Sequence, residues 1–222
     1  MIDTELQVLK LSIGIALGAT LLVLPFAVST AWFLARARSQ ARVVVDVLVA
    51  LPLVLPPVVS GYALLLLFGR NGPLGGLLFR LMGVEIVFTW VAAALAAGVI
   101  SFPLMVRAME ISFTGVDRRL EQAARSLGAS PVRAFLTVTL PLASRGLLGG
   151  TLLGFIRGLG EFGATVVVAG NIPGRTQTLP LAIFTSLETG NEGTALHLIL
   201  LSVSLAVVTL VVYAFLVSRR SA

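Results

Sequence analysis

Glu121-Gln122-Ala123-Ala124-Arg125-Ser126-Leu127-Gly128-Ala129-Ser130-Pro131, followed at 138–141 by Val138-Thr139-Leu140-Pro141, lies in the only long polar segment of this chain, residues 107–145. Everything around it is apolar. Runs at about 11–35, 45–69, 86–106, 146–169 and 194–217 each approach or exceed the ~20 residues that cross ~30 Å of hydrocarbon. The fourth of these carries two charges, Arg157 and Glu161. Apolar residues make up 57% of the 222 positions and charged ones 12%, about half the share usual in soluble domains. The expected fold is therefore all-α: one polytopic transmembrane domain spanning 1–222, with about five transmembrane helices and a two-helix loop at 107–145.

Charge gives that bundle a direction. If five spans alternate, one side of the membrane receives Arg36, Arg38, Arg42, Arg107, Arg118, Arg119, Arg125, Arg133, Arg145, Arg219 and Arg220, while the other receives Lys10, Arg70, Arg80 and Arg175. The positive-inside rule then places the N-terminus outside and the long loop and C-terminus in the cytoplasm. The net charge of +6 sorts by membrane side instead of forming a stripe on a soluble face, so nucleic acid is not expected as a partner. No cysteine is present, and His197 is the single histidine. Disulfides, thiolate metal sites and histidine clusters are excluded, and no metal site is expected. His197, at the start of the last run, reads as a capping or interface residue.

Inside the polar segment, Asp117 precedes a helical pattern to about Leu127, with Leu120, Ala123, Ala124 and Leu127 on one face. Gly128 is a natural stop. Ser130-Pro131 reads as an N-cap followed by proline at the first helical position, opening a second helix through Val132, Ala134, Phe135 and Leu136. The loop is thus two short helices about a glycine turn, with apolar faces that need a partner.

The second run contains Leu51-Pro52-Leu53-Val54-Leu55-Pro56-Pro57-Val58-Val59-Ser60-Gly61-Tyr62. Three prolines predict a kinked or broken helix, since each removes a donor and clashes with the preceding turn. That is either a tolerated kink or a discontinuous helix lining a pathway. The fourth run opens with Gly146, Gly150, Gly154 and Gly158, one stripe on a helix that lets another backbone approach closely. The stripe serves either intramolecular packing or a seam at a subunit interface or pore. Arg157 and Glu161, four apart inside that run, are either a self-satisfied structural pair or part of a functional site. Between the last two runs, 181–187 is too short to cross and is expected as a partial helix at the outer face.

Three function classes compete. An intramembrane hydrolase needs a nucleophile with its base or a metal cluster, and no such pattern exists here. A secondary transporter often has paired broken helices, and the sequence offers only one strongly broken span. The membrane half of a pump powered elsewhere fits better. No P-loop can be built, because the only lysine, Lys10, follows Leu9. Energy would have to arrive through a partner docked on the polar loop.

These residues resemble a known family. The run from Glu121 to Pro141 is similar to the signature loop of ABC importer permeases of the first type, in which an acidic-Ala-Ala element precedes a glycine and then an apolar-x-Leu-Pro. Ala123, Ala124, Gly128, Val138, Leu140 and Pro141 match at the family spacing. The place of the acid is taken by Gln122, with Glu121 one step earlier. Together with 51–62, 101–107, 159–165 and 171–180, the chain resembles the permease subunits of molybdate importers, over about 9–216. Tungstate and sulfate or thiosulfate permeases are similar through the loop and around Glu161.

The resemblance implies a homodimer in a bacterial inner membrane, with two cytoplasmic P-loop ATPase subunits and a periplasmic or lipid-tethered oxyanion-binding protein. It implies that Glu121, Gln122, Ala123, Ala124, Gly128, Ala129, Ser130, Pro131, Leu140 and Pro141 form the ATPase-coupling loop. This chain would be non-catalytic and bind no cofactor, with Mg-ATP held by the partner. From polarity, the candidate translocation lining is Ser60, Thr165, Gly61 and the backbone around Pro56 and Pro57, since neutral donors pass an oxyanion where fixed cations would hold it.

Overall fold

The computed structural model describes residues 2–218, with side chains described over 4–216. All regular structure among them is helical. The order is α1 (Ile2–Arg36), α2 (Gln40–Val54), α3 (Pro57–Phe68), α4 (Pro73–Met82), α5 (Trp90–Thr114), α6 (Arg118–Ser126), α7 (Pro131–Ala134), one π-helical turn (Phe135–Thr139), α8 (Leu140–Leu159), α9 (Gly163–Ala169), α10 (Leu179–Glu188) and α11 (Glu192–Ser218). Four stretches are long and apolar enough to cross a membrane, namely α1, α5, α7 with α8, and α11. The bent pair α2–α3 makes up to five. Arg219 and Arg220 lie outside the described residues.

Several boundaries differ from the sequence expectation, for identifiable reasons. The run at 45–69 is two helices meeting at 112°. Leu55 precedes Pro56 and Pro56 precedes Pro57, and a residue before proline is driven out of the helical region. Accordingly Leu55 and Pro56 adopt ψ of 140° and 135°. The run at 86–106 is displaced toward the C-terminus: its helix starts at Trp90, capped by the Thr89 hydroxyl, and continues to Thr114. Residues 107–114 therefore belong to a span and not to the loop. At its other end the loop is also shorter, because α7 does not stop but passes through the π turn into α8. Pro141 cannot donate in the helix, and the wider turn before it absorbs the mismatch.

The run at 146–169 is likewise not one helix. It breaks after Leu159, where Gly160 and Phe162 leave helical geometry, and resumes as α9. The chain therefore has a second helix break, where the sequence pointed to only one. No proline marks it; the signal lies in Gly158, Gly160 and Gly163 flanking a buried acid. The expected partial helix at 181–187 is α10, whose Leu179, Leu181 and Ala182 are buried.

The centre of the bundle is α5. Its Ala92, Ala93, Ala96 and Ala97 pack with Ile15 and Ala19 of α1 and with Ala164 and Val168 of α9. Its Met105, Met109 and Phe113 pack with Ala27, Ala31 and Leu34 of α1 and with Ala143 and Leu147 of α8. Small residues dominate one half because lipid offers apolar side chains no incentive to leave it. Close backbone approach and dispersion must hold the helices together instead. The glycine stripe of α8 serves this purpose. A Cβ at Gly146 would overlap Ser112, one at Gly154 would overlap Met105, and one at Gly150 would come within 2.8 Å of Met109 Cγ, all on α5. At Gly158 the nearest atoms are Ala16 and Ala97 at 3.8 Å. Within the chain, three of the four stripe glycines pack directly on α5.

By contrast, only 6% of the most apolar window of α11 is buried, as suits a helix facing hydrocarbon. Gly154→Leu is expected to destabilise the chain by about 2 kcal/mol through overpacking against Met105. Thermal unfolding in detergent should report it as a lowered midpoint, with Gly193→Ala, whose Cβ would meet nothing within 4 Å, as the neutral control.

Candidate functional site

The two breaks lie against each other. α3 packs on α9 so closely that a Cβ at Gly61 would stand 2.6 Å from the Ala164 carbonyl oxygen and 2.8 Å from its Cα, and one at Gly163 would stand 2.9 Å from Pro57 Cβ. Ser60 and Thr165, the neighbours of Gly61 and Ala164, are buried at 7% and 1% exposure. Pro56 and Pro57 are exposed. The structure thus brings the five candidate lining residues to one crossing. Within a single chain the two hydroxyl residues are enclosed by helix packing, not opened to a channel.

Glu161 holds this crossing. It is 2% exposed, its Oε2 pairs with Arg157 Nη2 at 3.0 Å, and its Oε1 accepts from the Ala164 amide at 2.8 Å. One carboxylate therefore joins the end of α8 to the first turn of α9, satisfying a donor that the break orphans. The same groups account for both charges, because a buried acid is tolerated when it is paired and hydrogen-bonded. Arg157 is more open, at 34% side-chain exposure.

Beyond α9 the chain turns at Gly170 (φ 71°) into a compact polar loop. There the Ile172 carbonyl accepts from the amides of Arg175, Thr176 and Gln177. Asn171 links the side chains of Gln177 and Thr185 at 3.0 and 2.7 Å, and the Ser12 hydroxyl of α1 accepts from the Leu179 amide at 2.7 Å. His197 stands 3.8 Å from Glu5 on α1, an inter-helix contact near the start of α11.

At the basic end, α6 begins with the Asp117 carboxylate accepting from the Arg119 amide, and α7 with the Ser130 hydroxyl accepting from the Arg133 amide. Gly128 between them has φ 92°, a conformation that side chains resist. Gln122 and Ala123 are exposed and Ala124 and Ala129 half-buried, while Leu140 and Pro141 enter α8. No residue of α6 is buried. Leu127 is 90% exposed.

Polar contacts set the loop's position. Arg118 donates to the carbonyls of Ala35 and Arg36, capping the last turn of α1. Glu121 pairs with Arg36 at 3.4 Å and accepts from the buried Thr139 hydroxyl at 3.2 Å. Of the two candidates for the acidic position, Glu121 is committed inward and Gln122 faces out. The sequence reading also passed over a polar cluster beside this end. Arg107 pairs with Asp46 and with Glu110 at 3.0 Å, and Arg42 reaches Glu110 at 3.3 Å, tying α2 to α5. The spacing held a signal, since Arg42 and Asp46 are four apart and Arg107 and Glu110 three apart on their helices.

An all-helical bundle of four or five membrane-length spans, one of them sharply bent, with a short helical loop at its basic end, fits a transport-system permease. The chain belongs to the family of binding-protein-dependent transport system inner membrane components, which it matches over residues 23–222. It is 46% identical to the molybdenum transport system permease protein ModB of Escherichia coli K12, over 99% of this chain and 97% of that protein. To the ModB of Haemophilus influenzae it is 44% identical, over 97% and 94%. The crystal structure of an amino acid ABC transporter shares its fold, with a TM-score of 0.66 at 16% identity over 98% of this chain and 94% of that one.

If Glu161 bridges the break as described, Glu161→Gln should be tolerated better than Glu161→Ala. The amide keeps an acceptor for Ala164, whereas alanine leaves that donor unpaired, at about 1–3 kcal/mol. Comparing the yields of folded protein and the melting midpoints of the two variants checks this. Equal loss in both would mean that the ion pair with Arg157 matters more than the cap.

Proposed function

We propose that this chain is the membrane-spanning subunit of an ATP-driven molybdate importer, working as one permease domain. The observation that carries the reading is near-full-length similarity to molybdenum transport permeases together with a helical loop whose apolar side chains project from the bundle. Leu127 at 90% and Leu120 at 49% exposure lie outside the spans, where water and not lipid would meet them, so a protein partner must cover them. That partner is a cytoplasmic P-loop ATPase, one for each of two copies of this chain. It supplies the Mg-ATP chemistry for which this sequence has no motif. A periplasmic or lipid-tethered protein delivers the oxyanion at the other face, and the N-terminus lies on that outer side.

In this reading, α6 and α7 receive the ATPase stroke and pass it along two routes. One is the continuous backbone from α7 through the π turn into α8, ending at the break that Glu161 holds. The other is the clamp of Arg118 and Glu121 on the end of α1. Movement of α8 relative to α3 and α9 would open or close the hydroxyl-lined crossing of Ser60 and Thr165. Those neutral donors can exchange with the hydration shell of an oxyanion without trapping it.

The direct test is uptake of radiolabelled molybdate by vesicles carrying this chain with its ATPase and binding protein. Uptake should require ATP and fall when unlabelled molybdate is added outside, whereas uptake that persists without ATP would remove the importer reading. Gly128→Asp is expected to abolish both uptake and co-purification of the ATPase while the chain still inserts. Its φ of 92° adds strain of about 1–3 kcal/mol for a residue with a side chain, and the added acid lies where the partner docks. Normal co-purification with that variant would place the ATPase contact elsewhere. Thr165→Val should lower uptake with little effect on ATPase association, a separation that pull-down and uptake measured on the same preparation would detect.

A further inference from the structure

We propose that the basic end of this chain carries a binding site for an anionic phospholipid, wedged between α1 and the helices of the polar loop. Small-molecule sites occupy roughly 300–1,000 Å³, and the pocket here measures 530 Å³, room for a headgroup but not for a whole lipid. Its apolar walls come from α1, α7 and the π turn, and its polar rim from α6. Val28, Trp32 and Phe33 line it from the last turns of α1, and Pro131, Val132 and Phe135 from α7 and the π turn. Trp32 and Phe135 stack edge to face across its floor, with centroids 5.6 Å apart. Val28, Trp32 and Phe33 belong to the apolar span of α1, so the cleft adjoins a helix surface of the kind that lipid tails meet.

The polar rim determines the sign of the occupant. Arg125 lines the mouth and is exposed, with no ion-pair partner among the described residues. Trp32 keeps its indole Nε1 buried without an acceptor, and Arg36, one turn further along α1, keeps Nε and Nη2 buried without a hydrogen bond. Nη2 is only in ion-pair range of Glu121, at 3.4 Å. The one acid on the rim is Glu121, already engaged by Arg36 and Thr139. Arg36 does not itself line the pocket, so the site offers the Arg125 guanidinium and the unsatisfied Trp32 indole N–H above an apolar cleft. A phosphate diester with an acyl tail complements both parts, as basic pockets beside transmembrane helices do.

The consequence is a lipid in contact with the coupling machinery. Glu121 both lines the pocket and pairs with Arg36 in the clamp between α1 and α6, so a phosphate held at the mouth by Arg125 would lie directly beside that clamp. This holds whichever ion the permease carries, so its test does not depend on the transport assay.

Native mass spectrometry of the full chain in detergent, with dioleoyl phosphatidylglycerol or phosphatidylcholine added at equal concentration, tests the site. Wild type should retain one phosphatidylglycerol per chain in preference to phosphatidylcholine. Arg125→Gln should reduce that retention about fivefold, the effect of one interfacial cation. Ser29→Trp, an exposed position on the same pocket, should remove it by filling the cleft while all charges stay in place. Both variants should melt as wild type does without added lipid. Equal retention of the two lipids, or retention unchanged in both variants, would overturn the proposal. So would displacement of the lipid by inorganic phosphate, which would indicate a free-anion site. Loss of the lipid on adding the ATPase, or efficient cross-linking of two copies through Val132→Cys, would equally overturn it by showing that a protein covers the pocket.

Discussion

The close approach of α8 to α5 is the contact on which the rest of this fold depends. In hydrocarbon no hydrophobic force drives one apolar helix onto another, so packing must come from shape. Here the shape is made by absent side chains: Gly146, Gly150 and Gly154 leave a groove that Ser112, Met109 and Met105 of α5 fill. Because α5 also carries α1 on another face through Ala92, Ala93, Ala96 and Ala97, it fixes α1 and α8 together. α9, continuing the line of α8, is then placed where it can meet α3.

Backbone groups are hardest to leave unpaired inside a membrane, yet this chain interrupts its apolar runs after Val54 and after Leu159. Each break has its own remedy. At Pro56 and Pro57 two of the missing donors are simply not there, since proline has no N–H. Between Leu159 and Gly163 no proline helps, and a buried glutamate supplies the acceptor while an arginine one turn back balances its charge. The breaks then seal against each other, because Gly61 and Gly163 admit the opposing backbone.

At the basic end the problem is different. α6 buries nothing and is held by charge: Arg118 on the carbonyls that end α1, and Glu121 between Arg36 and Thr139. A helix held by polar contacts and free on its apolar side can move as a unit when something grips it. The Arg42–Glu110–Arg107–Asp46 cluster performs a similar office for α2, which has little buried surface of its own.

How much could be read in advance follows from the range of the forces involved. Apolar run length, the arginine bias, the Gly128 turn and the Ser130-Pro131 helix start are local properties of consecutive residues. The sequence alone therefore determined a polytopic helical bundle with a two-helix loop on its basic side, and its motifs pointed to a permease family. Tertiary structure decided what depends on residues far apart in the chain. Only contact with α5 shows that three glycines of the stripe pack within the chain, and only burial against the α8–α9 break turns Glu161 from an anomalous charge into a cap. Likewise, Glu121 faces inward because Arg36 and Thr139 happen to meet there. Local pattern carries helix propensity and membrane preference, whereas pairing partners are chosen by the fold, where sequence separation no longer limits which side chains meet.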